Sequence, residues 1–391
     1  MQRRDLLKMT PVLASAGVLR AQLTAGRPEE AGMSAARLER AAGLLRAETA
    51  SGRVLAASLL VARQGRIVLH RGFGRLAPAA GSMAAGADTV YLLASITKPV
   101  AACALMLLVE RGLVSLDDAV AVHLPEFDGA GRRAARVRDL LTHTSGLPDM
   151  LPENTALRRA HAPLAEFTRL AMKTPLLYPP RTGFQYQSMG LLLAGEIVER
   201  ITKQRLRDFL ARELFQPLGM TSSALGLGRF RMEETAWCQT SGGDEADLAR
   251  FGPNSPYWRD MGHPWGGMHS TTRDLAVLLQ TFLNGGAYGG ARVFSPATVA
   301  AMTRDQNTAI GKPWGLGWGL AASPVWCYFG EPVSPRTFGH SGATGTVAWA
   351  DPESGLVCVI LTTRPSGDDN GGLLRRVSNA VAAAVEGGAK A

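Results

Sequence analysis

Lysine is scarce in this chain. Only six of the 391 residues are lysines, so the formal charge of +9 comes from arginine. The densest arginine groups, Arg132, Arg133, Arg136 and Arg138 and then Arg158 and Arg159, lack the interleaved aromatics that nucleic-acid surfaces use. They read as solvated faces with a weak pull toward anionic surfaces, and no nucleic-acid partner is expected. Cysteine is sparse too. Cys103, Cys238, Cys327 and Cys358 are far apart and form no C-x-x-C pair, which argues against metal ligation and redox chemistry. Cys103 and Cys358 lie in apolar runs and read as small buried hydrophobes; the sequence leaves a disulfide open. There is no H-E-x-x-H, no G-x-x-x-x-G-K-[ST], and no G-x-G-x-x-G between a strand and a helix, so no metal or cofactor is expected. Beyond the N-terminus no run approaches about 18 uninterrupted apolar residues, the length a membrane-spanning helix needs. Repeats and low-complexity tracts are absent as well.

What is present is ordinary globular material: 46% hydrophobic and 19% charged residues, in a length that suggests two to three domain-sized units. The first stretch, "QRRDLLKMTPVLASAGVLRAQ", pairs Arg3 and Arg4 ahead of Leu6, Leu7 and Lys8 and a weakly apolar run of small residues. It is similar to a twin-arginine export signal over residues 1–25, with Ala21 or Ala25 as the cleavage point. A periplasmic or secreted protein follows from that reading, and a cytoplasmic one if the segment is only a basic N-terminus.

Further on, helical spacing from Met33 to Leu45 ends near Gly52, and two β-rich runs flank Gln64-Gly65 as a hairpin. Helical patterns fill 136–142, 155–173, 189–202, 205–214 and 273–284, joined by Gly/Pro-rich loops, with little strand signal. Strand patterns return in "WGLGWGL", "RTFGHSG", "TGTVAWADPESG" and "LVCVILTTR", before a last helix from about Leu373 to Val385. The expected fold is α+β: an antiparallel sheet from both chain ends, 26–114 and 291–391, flanked by helices, with a mainly helical region inserted over 115–290.

"LLASITKPVAACALMLLVERG" sets Lys98 into an almost unbroken apolar run, three residues after Ser95. On a helix such residues share a face, with Cβ atoms about 5–6 Å apart. A helix starting near Ser95 leaves its first N–H groups free to meet a developing oxyanion. Apolar neighbours disfavour the ammonium form of Lys98, which suits it to proton transfer. Pro99 fits only in a first turn. A competing serine, Ser341 in "FGHSGATG", is close to a G-x-S-x-G elbow, but a strand rather than a helix follows, and His340 is the last histidine where that fold needs a later one. His143 in "LLTHTSGLP" reads as a loop anchor. Tyr186 and Ser188 in "YPPRTGFQYQSMG" would alone be an ordinary packed tyrosine and its neighbour.

Together, S-x-x-K at Ser95–Lys98, Tyr-x-Ser at Tyr186–Ser188 and His-Ser-Gly at His340–Gly342 resemble the three sequential motifs of penicillin-recognising serine hydrolases. The chain is most similar, over about residues 27–386, to the class C β-lactamase-like branch with its DD-peptidases, family VIII carboxylesterases and acyltransferases; "LLTHTSGLP", "GGMHSTTRDLA" and "GHSGATGT" share the resemblance. It implies that Ser95 forms an acyl-enzyme, that Tyr186 is a phenolate-like base held by Lys98, and that the oxyanion lies between the Ser95 and Ala343 N–H groups. Ser188, His340, Ser341 and Gly342 would border the substrate.

Two departures narrow that substrate. The third motif begins with His340 where the family usually has lysine, so a fixed cation for a substrate carboxylate is missing. Protonation of His340 near its ordinary pKa of about 6.5 would let anionic substrates gain at lower pH. Ser188 stands where β-lactamases of this class often carry asparagine. Both changes shift the expected substrate, a small-molecule ester or amide, toward neutral esters. The alternatives are a β-lactamase, D-alanyl-D-alanine carboxypeptidase or D-amino-acid amidase, and a catalytically silent binder of cell-wall fragments. No stable membrane insertion is expected, and oligomeric state stays open.

Overall fold

The computed structural model describes residues 22–129 and 131–387. The proposed export segment therefore lies almost wholly outside the described residues. Its end does not: Thr24–Ala25 forms an edge strand, with the Thr24 N–H on the Gly65 carbonyl (2.9 Å) and the Gly26 N–H on that of Ile67 (3.0 Å). Cleavage at Ala25 would cut this edge, whereas cleavage at Ala21 would leave it whole.

The fold is α+β around a seven-stranded sheet. Its order is Thr24–Ala25, Arg66–Gly74, Ala56–Arg63, Leu356–Thr362, Thr346–Asp351, Phe338–Gly342, Gly319–Leu320. Every pairing is antiparallel except that of the short first strand. Gln64 and Gly65 join two strands at φ 51° and 79°, the two positive angles that a tight hairpin turn needs.

Apolar residues at alternate positions face opposite ways, which explains the near-continuous apolar runs. Leu59, Val61, Trp349, Cys358 and Ile360 pack with Leu38, Leu45, Val377 and Val381 from the helices Ala35–Ala50 and Gly372–Ala382. Leu60, Ala62, Val357, Val359 and Leu361 face the core that includes the helices Thr97–Glu110 and Thr272–Leu283. Helices, including Met189–Thr202, are the main regular elements of the middle of the chain.

Four expectations change in detail. The pattern at 155–173 is two helices, Asn154–Arg159 and Leu164–Ala171, because His161 turns to φ 50° and Pro163 stops continuation. The 205–214 pattern is only the short helix Leu206–Leu210 followed by a wider turn over Ala211–Phe215. The middle also holds a small sheet of Tyr91–Leu92, Met268–Ser270 and Ala224–Leu225. "WGLGWGL" gives only Gly319–Leu320, since the Gly315 N–H closes a turn on the Trp318 carbonyl (2.8 Å). All four cysteines are free. No helix among the described residues is long and apolar enough to cross a membrane.

Candidate active site

Strand Tyr91–Leu92 is fixed to Ser270 and His269, and the Leu93 N–H donates to the Met268 carbonyl (2.9 Å). The chain then bends sharply. Ala94 takes φ 49°, a left-handed angle that costs a non-glycine residue energy, and a single 3-10 turn, Ala94–Ile96, leads into Thr97–Glu110. Thr97 fastens this entry: its hydroxyl donates to the Ala94 carbonyl (2.7 Å) and accepts the Met268 N–H (3.0 Å). Pro99 falls in the first turn of the helix, where its missing N–H costs nothing.

Lys98 is 1% exposed. Its Nζ donates to Ser95 Oγ (3.0 Å) and to the Trp265 carbonyl (3.0 Å), and lies 4.8 Å from the centre of the Tyr186 ring. Burial lowers its pKa to about 8, with the Asp149 charge pulling the other way.

Tyr186 arrives from a loop before Met189–Thr202 and is held by His143. The His143 carbonyl accepts the Gln185 N–H (3.0 Å), and its Nδ1 accepts the Gln187 N–H (3.2 Å), so one residue at φ 64° brackets the tyrosine on both sides. The phenol ring packs against His143 (4.7 Å between centres), Trp326 (5.0 Å) and Trp314 (5.9 Å). Its hydroxyl makes no hydrogen bond of full geometry among the described residues, although the Ser95 hydroxyl is near enough to favour the phenolate. Burial outweighs that help and pushes the Tyr186 pKa well above its ordinary value. The direction of that shift favours a neutral phenol over the phenolate that the resemblance implies.

The third motif lies on Phe338–Gly342, which Gly319–Leu320 covers only at Gly339 and Phe338. Residues 340–342 keep a free edge. Gly342 abuts the segment leading to Ser95 so closely that a Cβ there would sit 2.1 Å from the Leu93 carbonyl oxygen. The Thr344 and Thr346 hydroxyls donate to the Leu92 and Leu93 carbonyls (2.9 Å each). Ala343 sits on the exposed turn beside Ser95, and neither the Ser95 nor the Ala343 N–H donates to another described residue. The two main-chain donors that the resemblance implicates are thus left without a partner among the described residues.

His340 is fully buried. Its Nδ1–H donates to the Ser341 carbonyl (2.7 Å), which leaves Nε2 as an acceptor without a protein partner. Burial, reinforced by the Lys98 charge, lowers its pKa to about 3. The expected switch near pH 6.5 is therefore absent, and His340 stays neutral through the physiological range. Ser341 and Ser188 do not present free hydroxyls. Ser341 donates to the Trp326 carbonyl (2.6 Å), and Ser188 donates to Asp149 Oδ1 (2.7 Å).

A family model described as Beta-lactamase matches residues 41–382. The chain belongs to the beta-lactamase family. A relative from Escherichia coli (strain K12), named provisionally as a D-alanyl-D-alanine carboxypeptidase, is 30% identical over 93% of this chain and 91% of its own. A penicillin-binding protein homologue from Caulobacter crescentus superimposes with a TM-score of 0.74 at 26% identity, over 90% of this chain and 99% of that one. A family VIII carboxylesterase shares the fold with a TM-score of 0.70 at 24% identity, over 89% and 98%.

Within this beta-lactamase-family framework, four contributors escaped the sequence reading: Asp149, Trp265, Trp314 and Trp326. Asp149 directly follows "LLTHTSGLP", Trp265 directly precedes "GGMHSTTRDLA" and Trp314 opens "WGLGWGL", so three of the four lay at stretches already singled out. What the sequence does not reveal is that the loops holding Trp265, Trp314 and Trp326 meet around Lys98 and Tyr186.

Proposed function

We propose that the protein is a serine hydrolase that acts through an acyl-enzyme on Ser95, with small neutral esters as its substrates. One observation carries the reading: a buried lysine with a pKa near 8 lies 3.0 Å from the serine hydroxyl. At pH 7.5 about a quarter of such lysines are neutral. Neutral Lys98 accepts the Ser95 proton as Oγ attacks the ester carbonyl. The tetrahedral oxygen collects its negative charge between the Ser95 and Ala343 N–H groups. Tyr186, a neutral phenol, relays a proton from Lys98 to the leaving alkoxide. Water then enters by the reverse path and releases the acid.

The neutral state of His340 supports the choice of ester over carboxylate-bearing substrates, because a neutral hydrogen bond is worth roughly half a charge-assisted one. A peptidase reading draws on the carboxypeptidase name given to relatives such as that from E. coli. The paired arginines Arg3 and Arg4 support export, and we place the enzyme in the periplasm or outside the cell.

A hydrolysis panel decides between these readings: a short p-nitrophenyl ester, a chromogenic cephalosporin and a D-Ala-D-Ala peptide, with Ser95→Ala as control. The ester should show the highest kcat/KM, with turnover lost in the control. Faster cleavage of the cephalosporin or the peptide would overturn the ester assignment.

A further inference from the structure

The loop that delivers Tyr186 has a second anchor besides His143. Arg181, five residues before the tyrosine, takes φ 66°, a left-handed angle that costs any residue with a Cβ. Glycine would sit there freely, so a side chain at this position has to offset what the backbone loses. The guanidinium does so: Nη1 donates to Asp139 Oδ2 (2.8 Å) and to the Ala134 carbonyl (2.8 Å). Asp139, on the short helix Val137–Leu141, is 1% exposed, and no other lysine or arginine forms an ion pair with it among the described residues. Its carboxylate also accepts the Arg136 N–H (2.8 Å) and the Thr144 hydroxyl (3.3 Å). Burial raises its pKa, and the Arg136 N–H and the Arg181 charge oppose the rise.

The same stretch of chain receives the rest of the loop. The Arg181 N–H donates to the Thr144 carbonyl (2.8 Å), and the Leu177 N–H to that of Gly146 (2.7 Å). His143 holds the N–H groups of Gln185 and Gln187, the two neighbours of Tyr186. The bend over 181–187 is therefore pinned at both ends to residues 139–146. A planar guanidinium on a carboxylate is directional, so the pair fixes where the bend lies as well as attaching it. Position matters for Tyr186, because a displacement of about 1 Å costs a proton-transferring group up to about 10²-fold in rate.

We infer that Arg181, through its ion pair with Asp139, is a positioning residue for Tyr186, holding the phenol where it protonates the leaving alkoxide. The inference rests on the relay assigned to Tyr186 and adds a consequence for substrate choice. As the acyl C–O bond breaks, the phenol gives its proton to the departing oxygen and takes one from the Lys98 ammonium. Esters of alkyl alcohols need that proton, whereas p-nitrophenolate departs without it, so only the alkyl esters depend on the pair.

The test compares ethyl butyrate, followed by titration of the released acid, with p-nitrophenyl butyrate, followed by colour. The acyl group is shared, so the ratio of the two kcat/KM values isolates the departure of the alcohol. Arg181→Gly suits the same backbone angle and removes the guanidinium. Its kcat/KM for the ethyl ester should fall about 30-fold, within the range a positioned acid is worth, while that for the p-nitrophenyl ester changes less than about threefold. Should unpaired Asp139 prevent folding, Arg181→Gly combined with Asp139→Asn removes the stranded charge, and the same change in ratio is expected. Tyr186→Phe should shift the ratio the same way, and adding Arg181→Gly to it should change the ratio no further. A wild-type ratio without the guanidinium, an equal loss on both esters, or a further change in the Tyr186→Phe background would overturn the inference. A wild-type ratio or an equal loss in Tyr186→Phe itself would instead overturn the relay, and hydrolysis that persists in Ser95→Ala would overturn the acyl-enzyme reading.

Discussion

Lys98 carries a thermodynamic cost that can be read as a function of pH. In the unfolded chain its amine titrates near 10.5, and in the folded protein near 8. Below pH 8 both states hold the proton, and the folded state bears the full cost of an ammonium removed from water. Between 8 and 10.5 only the unfolded state holds it, so stability rises with pH across that window and falls again as pH drops through 8. The difference corresponds to about 3 kcal/mol at neutral pH. Lys98→Met should therefore raise Tm at pH 7, with the gain shrinking by pH 10, while ester hydrolysis falls to background. Thermal melts at the two pH values, beside an activity assay, check both halves. For the wild type, kcat/KM should climb with pH to a plateau above about 8 as the lysine loses its proton. A buried lysine without a catalytic part would give the thermal pattern but not the loss of hydrolysis or the rise of kcat/KM with pH.

Among the elements, the turn after Phe338–Gly342 does the most with the least. Gly342 lets Ala343 reach the main chain beside Ser95, and a methyl group there meets the Leu93 oxygen at 2.1 Å. Gly342→Ala should lower kcat about 100-fold, the loss expected for an oxyanion donor, with KM little changed and the circular dichroism spectrum intact. Wild-type kcat in that variant would remove Ala343 from the oxyanion account. How far each element was legible follows from how local its cause is. The Gln64-Gly65 hairpin and the helices Met189–Thr202 and Thr272–Leu283 were written in turn residues and periodicity, and S-x-x-K in a three-residue spacing. Tyr186 and Ala343 became visible only through resemblance, because nothing near them in sequence marks their meeting with Ser95. The neutral phenol, the low pKa of His340 and the engaged hydroxyls of Ser188 and Ser341 all depend on burial and distant partners. No periodicity encodes those.

At the scale of the molecule, the site exists because three separated parts of the chain are locked together. Ser95 and Lys98 come before the helical middle, Tyr186 from within it, and Ala343 from after it. The two ends of the chain close the sheet: Met33 bridges Val385, and the guanidinium of buried Arg63 donates to the carbonyls of Ala31, Gly32 and Gly387. Strands buried on both faces hold the 338–342 strand in register with Thr346–Asp351, and so hold the turn that follows it against the bend before Ser95. The beta-lactamase family supplies this scaffold. The whole account depends on Ser95 being the group that becomes acylated. Treatment with a fluorophosphonate ester followed by peptide mapping tests this most directly. One adduct per chain on the peptide carrying Ser95, lost in Ser95→Ala, is the predicted result; an adduct on Ser341 or any other serine, or labelling that survives in Ser95→Ala, would contradict it.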